Sequence, residues 1–179
     1  GDVEHGKRII RELATVKNEY AHFAGFEYGI KFQFREMDSF IHPDYQDRTD
    51  LKYVKRFKET DLTDAEFLEL KSFAEELGFV PLCTGFDEPS IARIEKMGFP
   101  LIKIASCSFT DWPLLNRIAE VDIPIIASTA TASLDEIDNV VSFFLNRNKD
   151  LTLMHCVAEY PTYPKEMQLN QIKLLKERY

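Results

Sequence analysis

Leu101 to Leu115 reads LIKIASCSFTDWPLL. It opens as a short apolar strand with one lysine, Lys103, in its middle. It then passes into small hydroxyl and thiol residues, Ser106, Cys107 and Ser108, before a helix entered through Asp111 and Pro113. An ammonium on a buried strand is costly to desolvate unless something negative meets it, so Lys103 asks for an anionic partner. The same arrangement occurs upstream in GIKFQF, where Lys31 and Gln33 sit two apart and share one face of a strand whose other face carries Ile30, Phe32 and Phe34. Two lysines on two apolar strands suggest one anion site. The plainer alternative is that each lies near a strand end and runs its aliphatic stem out to water.

Outward from this stretch the punctuation is regular. Strands beginning near Phe79, Leu101, Ile123 and Leu151 recur at a roughly even interval, each an apolar run with little polar alternation, as strands buried on both faces of a parallel sheet read. The segments between them read as helices. Thr63-Asp64-Ala65-Glu66 and Ser133-Leu134-Asp135-Glu136 are capping boxes. The first leads a buried stripe of Phe67, Leu70, Ala74 and Leu77 that Gly78 ends, with Leu62 and Phe67 as its staple; the second leads Ile137, Val140, Val141 and Phe144. Pro89 and Gly98 frame a short helix with Ile91, Ile94 and Met97 inward, Trp112 to Ala119 is another, and Leu169, Ile172 and Leu175 mark the last.

Ahead of these units, Ile9, Leu13, Val16 and Tyr20 fall on one face at helical spacing, with Lys and Arg between them, and predict an opening helix ending near Gly25; Phe26 to Phe34 is then the first strand. Glu36 to Leu62 is long and polar, with a turn at His42-Pro43-Asp44 and a short amphipathic piece near Tyr53 and Phe57. A segment of that length in a compact domain is usually functional or mobile, and it is read as a cover for the site.

The order is a helix followed by five strand-helix units, and the even units point to a (β/α)8 TIM barrel. A doubly wound sheet is the alternative, but no G-x-G-x-x-G turn follows any strand. In a barrel the chemistry sits at the carboxyl ends of the strands. The polar residues gather there: Lys31 and Gln33, Thr84, Lys103 and Ser106, Ser128 and Thr129, and His155, Cys156 and Tyr160.

Composition sets the outer limits. With 179 residues, 45% hydrophobic and 29% charged, the chain has the profile of a globular domain with one core. A formal charge of -8 with no basic run argues against nucleic acid or an anionic membrane as partner, so any anion must be recruited locally. No signal peptide or membrane-length apolar run is present, and the three cysteines, Cys83, Cys107 and Cys156, read as free thiols in a reducing cytoplasm. Cys107 and Cys156 stand beside the expected site without a histidine and carboxylate to activate them, so each reads as a small buried thiol. His155 is the only strand histidine, His5 and His22 falling in the first helix and His42 in the loop; it reads as a hydrogen-bonded structural group.

Taken together, KFQF, LCTGFDEPS, IKIASCSFTDWPLL, PIIASTATASLDEI and LMHCVAEYPT resemble, in order, the motifs of the N-acetylneuraminate (sialic acid) synthase family. The resemblance implies a metal-dependent barrel that condenses phosphoenolpyruvate with an N-acylated aldose such as N-acetylmannosamine, with residues 1–179 as one partial catalytic domain of it. It implies that Lys31, Thr84, Lys103 and Ser106 hold phosphoenolpyruvate, that Gln33 and Tyr160 contact the amino sugar, and that Ser128 and Thr129 are the family's Ser-Thr pair. It also implies a homodimer. The divalent cation, manganese or magnesium, would be a Lewis acid on the aldehyde, with ligands outside this chain; a first strand would precede Gly1 and two further strands would follow Tyr179.

The departures fall beside the site. Ser108 stands where the family usually has a carboxylate and Ala158 where it has an asparagine; Ala130-Thr131 replaces Gly-Met, and Gly85 follows Thr84 in place of proline. The phosphoenolpyruvate lysines survive while neighbouring positions change, which leaves the sugar open. Two other readings stay open on the same residues: a Schiff-base aldolase with Lys103 or Lys31 as amine nucleophile, and a non-catalytic remnant that binds an anionic sugar.

Overall fold

A computed structural model of the chain describes residues 1–20 and 25–179; His22 lies outside the described residues. The chain forms two compact units, Gly1–Leu82 and Cys83–Tyr179.

The first unit opens with α1, Val3–Glu19, whose N-cap Asp2 accepts a hydrogen bond from the His5 N–H. Its stripe of Ile9, Leu13, Val16 and Tyr20 is not the buried one. Each of these is 46–50% exposed, and the helix instead buries Ile10 and Ala14 against Leu70, Ala74 and Phe79. Small residues decide the outcome. Gly6 lies so close to Leu70 that a Cβ there would be 2.9 Å from its Cδ2, so the backbone of α1 approaches α4 (Asp64–Glu76) along the Gly6, Ile10, Ala14 line. β1, Gly29–Phe34, starts three residues later than expected and alternates as read: Lys31 and Gln33 are exposed, while Phe34 is buried and Ile30 and Phe32 pack toward the core.

The long polar segment is more ordered than a loop. It holds α2 (Met37–Phe40), a 3-10 turn at Pro43–Tyr45 and α3 (Lys52–Thr60). In α3 the buried residue is Val54, and Tyr53 is exposed. The Arg35 guanidinium stacks 4.6 Å from the Phe57 ring centroid and 5.7 Å from that of Phe40, a cation–π pairing that ties the strand end to the segment. α4 begins at the capping box: Glu66 N–H donates to Thr63 Oγ1 and Thr63 N–H donates to the Glu66 carboxylate. Gly78, at φ +75°, is the left-handed residue that ends the helix. β2, Val80–Gly85, follows at once, and Val80 N–H donates to Tyr28 O at 2.8 Å.

The second unit repeats strand and helix. After β2 come α5 (Glu88–Lys96), β3 (Ile102–Ile104), α6 (Trp112–Glu120), β4 (Ile125–Ser128), α7 (Leu134–Leu145), β5 (Leu151–Met154) and α8 (Asn170–Arg178). Strand order is β1-β2-β3-β4-β5, each strand beside its neighbour in sequence, and β2 to β5 run parallel. A parallel sheet in chain order with a helix after each strand is the arrangement of part of a (β/α)8 barrel, not of a doubly wound sheet, where the order reverses.

Register fixes which face each side chain takes. Cys83 is opposite Ile102, Ile102 opposite Ile125 and Ile125 opposite Leu151. This row and the next but one, Ile104, Ala127 and Leu153, form the outer face beneath the helices, and the first three strands' members of it are buried. Ile91, Ile94, Leu114, Leu115, Ile118, Val140 and Phe144 are the helical side of that core, all at 0–1% exposure. The expected inward residues of α5 and α7 hold, and both Ser133 and Glu136 close the second capping box. The last helix buries only Leu175, with Leu169 and Ile172 exposed. Among the described residues no helix is long and apolar enough to cross a membrane.

Candidate anion site at the strand ends

The intervening row of the sheet carries the polar groups. One step past Cys83–Ile102, Thr84 comes to the rung of Lys103, which is opposite Ile126; two residues on, Ser128 is opposite Met154. Alternation therefore sends Thr84, Lys103 and Ser128 to the side of the sheet away from the helices. β3 is only three residues long and ends one residue past the lysine. Lys103 is nevertheless 8% exposed, so the stem does not carry its ammonium out to water.

The Lys103 ammonium donates to the Ile104 carbonyl at 2.9 Å and to Ser128 Oγ. Ser128 also accepts from the Cys156 thiol at 3.1 Å, so lysine, serine and cysteine form one chain across β3, β4 and the residue pair after β5. Thr129 pins the same end: its N–H donates to Met154 O at 3.1 Å and its hydroxyl to the same oxygen at 3.3 Å. Thr84 is fully buried, and its hydroxyl has no hydrogen-bond partner among the described residues. A buried hydroxyl left that way costs roughly 1–3 kcal/mol, and a bound oxygen acceptor would recover it. A cation and hydroxyls on one face at the carboxyl ends of parallel strands have the charge and donors that a small oxyanion needs.

The remaining expected residues separate. Ser106 is half-buried and opens the single 3-10 turn Ser106–Ser108 after β3, while Ser108 turns into the interior at 6% exposure with its Oγ 3.9 Å from Cys107 Sγ. Tyr160 is 97% exposed and is not brought to the Lys103 cluster. Lys31 and Gln33 belong to the first unit, where both are exposed and Gln33 Oε1 accepts from the Arg35 guanidinium at 3.0 Å. His155 faces the opposite way from Cys156, toward an apolar groove with Leu151, Leu153 and Ile172; its Nε2 donates to the Met167 carbonyl at 2.9 Å. That is the structural role its sequence suggested.

The three cysteines are free thiols. Cys107 is exposed and Cys156 half-buried, so the expectation of two buried thiols is corrected. The one-turn helix lifts Cys107 out, and Cys156 lies past the end of β5, where little covers it. The role of Cys156 as a hydrogen-bond donor to Ser128 was missed, although the sequence carried the signal. Thr152, Met154 and Cys156 share one strand parity, and a parallel neighbour places that parity beside Ser128.

The fold is that of part of a barrel-type α/β protein, with a buried lysine and hydroxyl groups gathered at its strand ends. The NeuB family matches residues 19–179, and the chain belongs to that family. A Chromobacterium violaceum protein assigned as spore coat polysaccharide biosynthesis protein E has a crystal structure with a TM-score of 0.91 to this chain at 50% identity, over 100% of this chain and 52% of that one. N-acetylneuraminic acid (sialic acid) synthetase from Leptospira borgpetersenii, solved with citrate, has a TM-score of 0.84 at 29% identity, over 100% and 57%. An uncharacterized protein of Methanocaldococcus jannaschii is 34% identical over 98% of this chain and 48% of its own length. The chain thus spans about half the length of the relatives it matches.

Proposed function

We propose that the protein takes part in carbohydrate biosynthesis as a nonulosonic acid synthase, condensing phosphoenolpyruvate with an N-acylated aldose and releasing phosphate. The observation that carries this is the buried Lys103 joined to Ser128, with the Thr84 hydroxyl, which has no partner among the described residues, on the same rung. Family membership and the sialic acid synthetase neighbour support it. In the reaction C3 of phosphoenolpyruvate attacks the aldehyde carbon and forms the new C–C bond, water adds at C2 where positive charge develops, and the C2–O bond to phosphate breaks. The chain's own part is to hold the polyanion. Lys103 supplies charge, and Thr84 and Ser128 supply hydroxyls for phosphate or carboxylate oxygens. Ser106, Gln33, Lys31 and Tyr160 keep the substrate-contact roles that the resemblance implies.

A divalent cation would polarise the aldehyde. Among the described residues no group of three His, Cys, Asp or Glu is placed to hold one, so no step is assigned to this chain through it. With Ser108 turned inward and Ala158 without a polar group, the acceptor is an aldose differently substituted from N-acetylmannosamine. The test is to incubate the full-length protein with phosphoenolpyruvate, manganese and a panel of N-acylated aldoses, following phosphate release and the keto acid product by mass spectrometry. Product with a panel member, and less with N-acetylmannosamine, supports the reading; phosphoenolpyruvate left intact with every aldose refutes it.

A further inference from the structure

We propose that Cys156 is a positioning residue for the anion receptor, acting on Lys103 through Ser128. The inference rests on the phosphoenolpyruvate reading only for the ligand used to measure it. Ser128 Oγ is the hub of the chain, accepting from the Lys103 ammonium and from the Cys156 thiol at 3.1 Å. A serine hydroxyl has two acceptor lone pairs and one hydrogen. With the ammonium and the thiol both donating, both lone pairs are engaged, and the hydroxyl hydrogen can only point away from them. Cys156 therefore sets the Ser128 rotor so that it donates outward, toward an incoming oxyanion, and holds Oγ where the ammonium meets it.

The surroundings make a weak thiol bond count. Lys103 and Ser128 are 8% and 6% exposed, so little water competes for Oγ. The backbone at this end is fixed by the Ser128–Met154 register and by Thr129 N–H on Met154 O, which places Cys156 two residues beyond Met154 on the same parity. Removing the thiol would leave Ser128 free to turn its hydroxyl into the vacated space and let the ammonium drift with it.

The experiment compares Cys156→Ala, Cys156→Val and Cys156→Ser with wild type in the full-length protein; valine fills the thiol's volume without a donor. Phosphoenolpyruvate binding is measured by calorimetry, KM is measured for each substrate, and Lys103 labelling by trinitrobenzenesulfonate is timed by mass spectrometry. Loss of one modest hydrogen bond predicts that alanine and valine weaken phosphoenolpyruvate roughly three- to tenfold, with the sugar KM and the melting temperature unchanged. Serine should recover most of the loss, and Lys103 should label several-fold faster in the alanine and valine proteins than in wild type. Unaltered phosphoenolpyruvate affinity and unaltered labelling in both would overturn the proposal. Equal losses on both substrates with a lower melting temperature would also overturn it, because they are the mark of a packing defect. Should wild type itself not bind phosphoenolpyruvate, the functional reading falls, and the labelling rate still decides whether Cys156 positions Lys103.

Discussion

Replacing Lys103 by methionine removes the charge while keeping most of the stem, and it isolates what the ammonium does. At 4 Å from a phosphate or carboxylate oxygen, one ammonium contributes about 4 kcal/mol of gross Coulomb energy at an effective dielectric near 20. Desolvation of the ligand takes back part of this, and hydrogen bonds to charged groups come out at about 1.5–3 kcal/mol net. The predicted loss in phosphoenolpyruvate affinity for Lys103→Met is therefore roughly 10- to 150-fold, at 1.4 kcal/mol per tenfold. The substitution also withdraws the donor from the Ile104 carbonyl and the Ser128 hydroxyl, so stability is followed alongside binding. Calorimetry with phosphoenolpyruvate, paired with sugar KM and a thermal melt on the full-length protein, separates these effects. A variant that weakens sugar and phosphoenolpyruvate equally, or that melts far below wild type with binding intact, would show that Lys103 is structural.

Further outcomes are open to measurement. Borohydride added during turnover should leave Lys103 and Lys31 unmodified; a reduced adduct of substrate mass on either would establish a Schiff-base mechanism instead. Asp138 links α7 to α8 by accepting from Nε and Nη2 of Arg178 and from the Tyr179 hydroxyl, and the Arg178 bond chiefly, with Tyr179, lowers its carboxyl to about 2 from 3.8. A depressed carboxylate contributes stability above the unfolded value and loses it as pH falls through the folded one, so Asp138→Asn should differ from wild type above pH 4 and converge with it toward pH 2; a constant gap across that window refutes the pairing. Thr131 is a β-branched residue held at φ +70°, which costs about 1–2 kcal/mol, so Thr131→Asn should raise stability by up to about 1 kcal/mol in urea melts, and a loss would show that its side chain is needed there.

How much of this was legible in the sequence follows from how local each signal is. The two capping boxes and the glycines at 78 and 98 act within one helical turn, and all of them are found where they were read. Apolar strand runs at even spacing gave the chain-ordered parallel sheet, since a helix between successive strands leaves few other topologies. Strand ends were less legible, because β3 and β5 stop where ladder hydrogen bonds stop and not where apolar character does. The opening helix is found where it was read, but its apolar stripe is not the face it buries, and the reason is different. Ile9, Leu13, Val16 and Tyr20 form the larger stripe, but close approach to Leu70 is set by Gly6 and Ala14, residues that a hydrophobic count overlooks.

The candidate site divides along the same line. Lys103, Thr84 and Ser128 could be found because parity along a strand and register between parallel strands are nearly arithmetic: once Ile102 meets Ile125, the polar residues one and three positions on must share a face. Tyr160, Ser106 and Ser108 follow the last strand residue in turns and coil, where no such arithmetic holds, and there the sequence was a poor guide to orientation. Cys156 lies between these cases. It is two residues past the end of β5 and yet still obeys the strand's parity, because Thr129 donates twice to Met154 O and carries the pairing one step beyond the sheet. A thiol that reads in the sequence as a small space-filling group is thereby brought to the hydroxyl that holds the lysine, and the reach of regular backbone geometry past the formal strand end decides which side chains share the site.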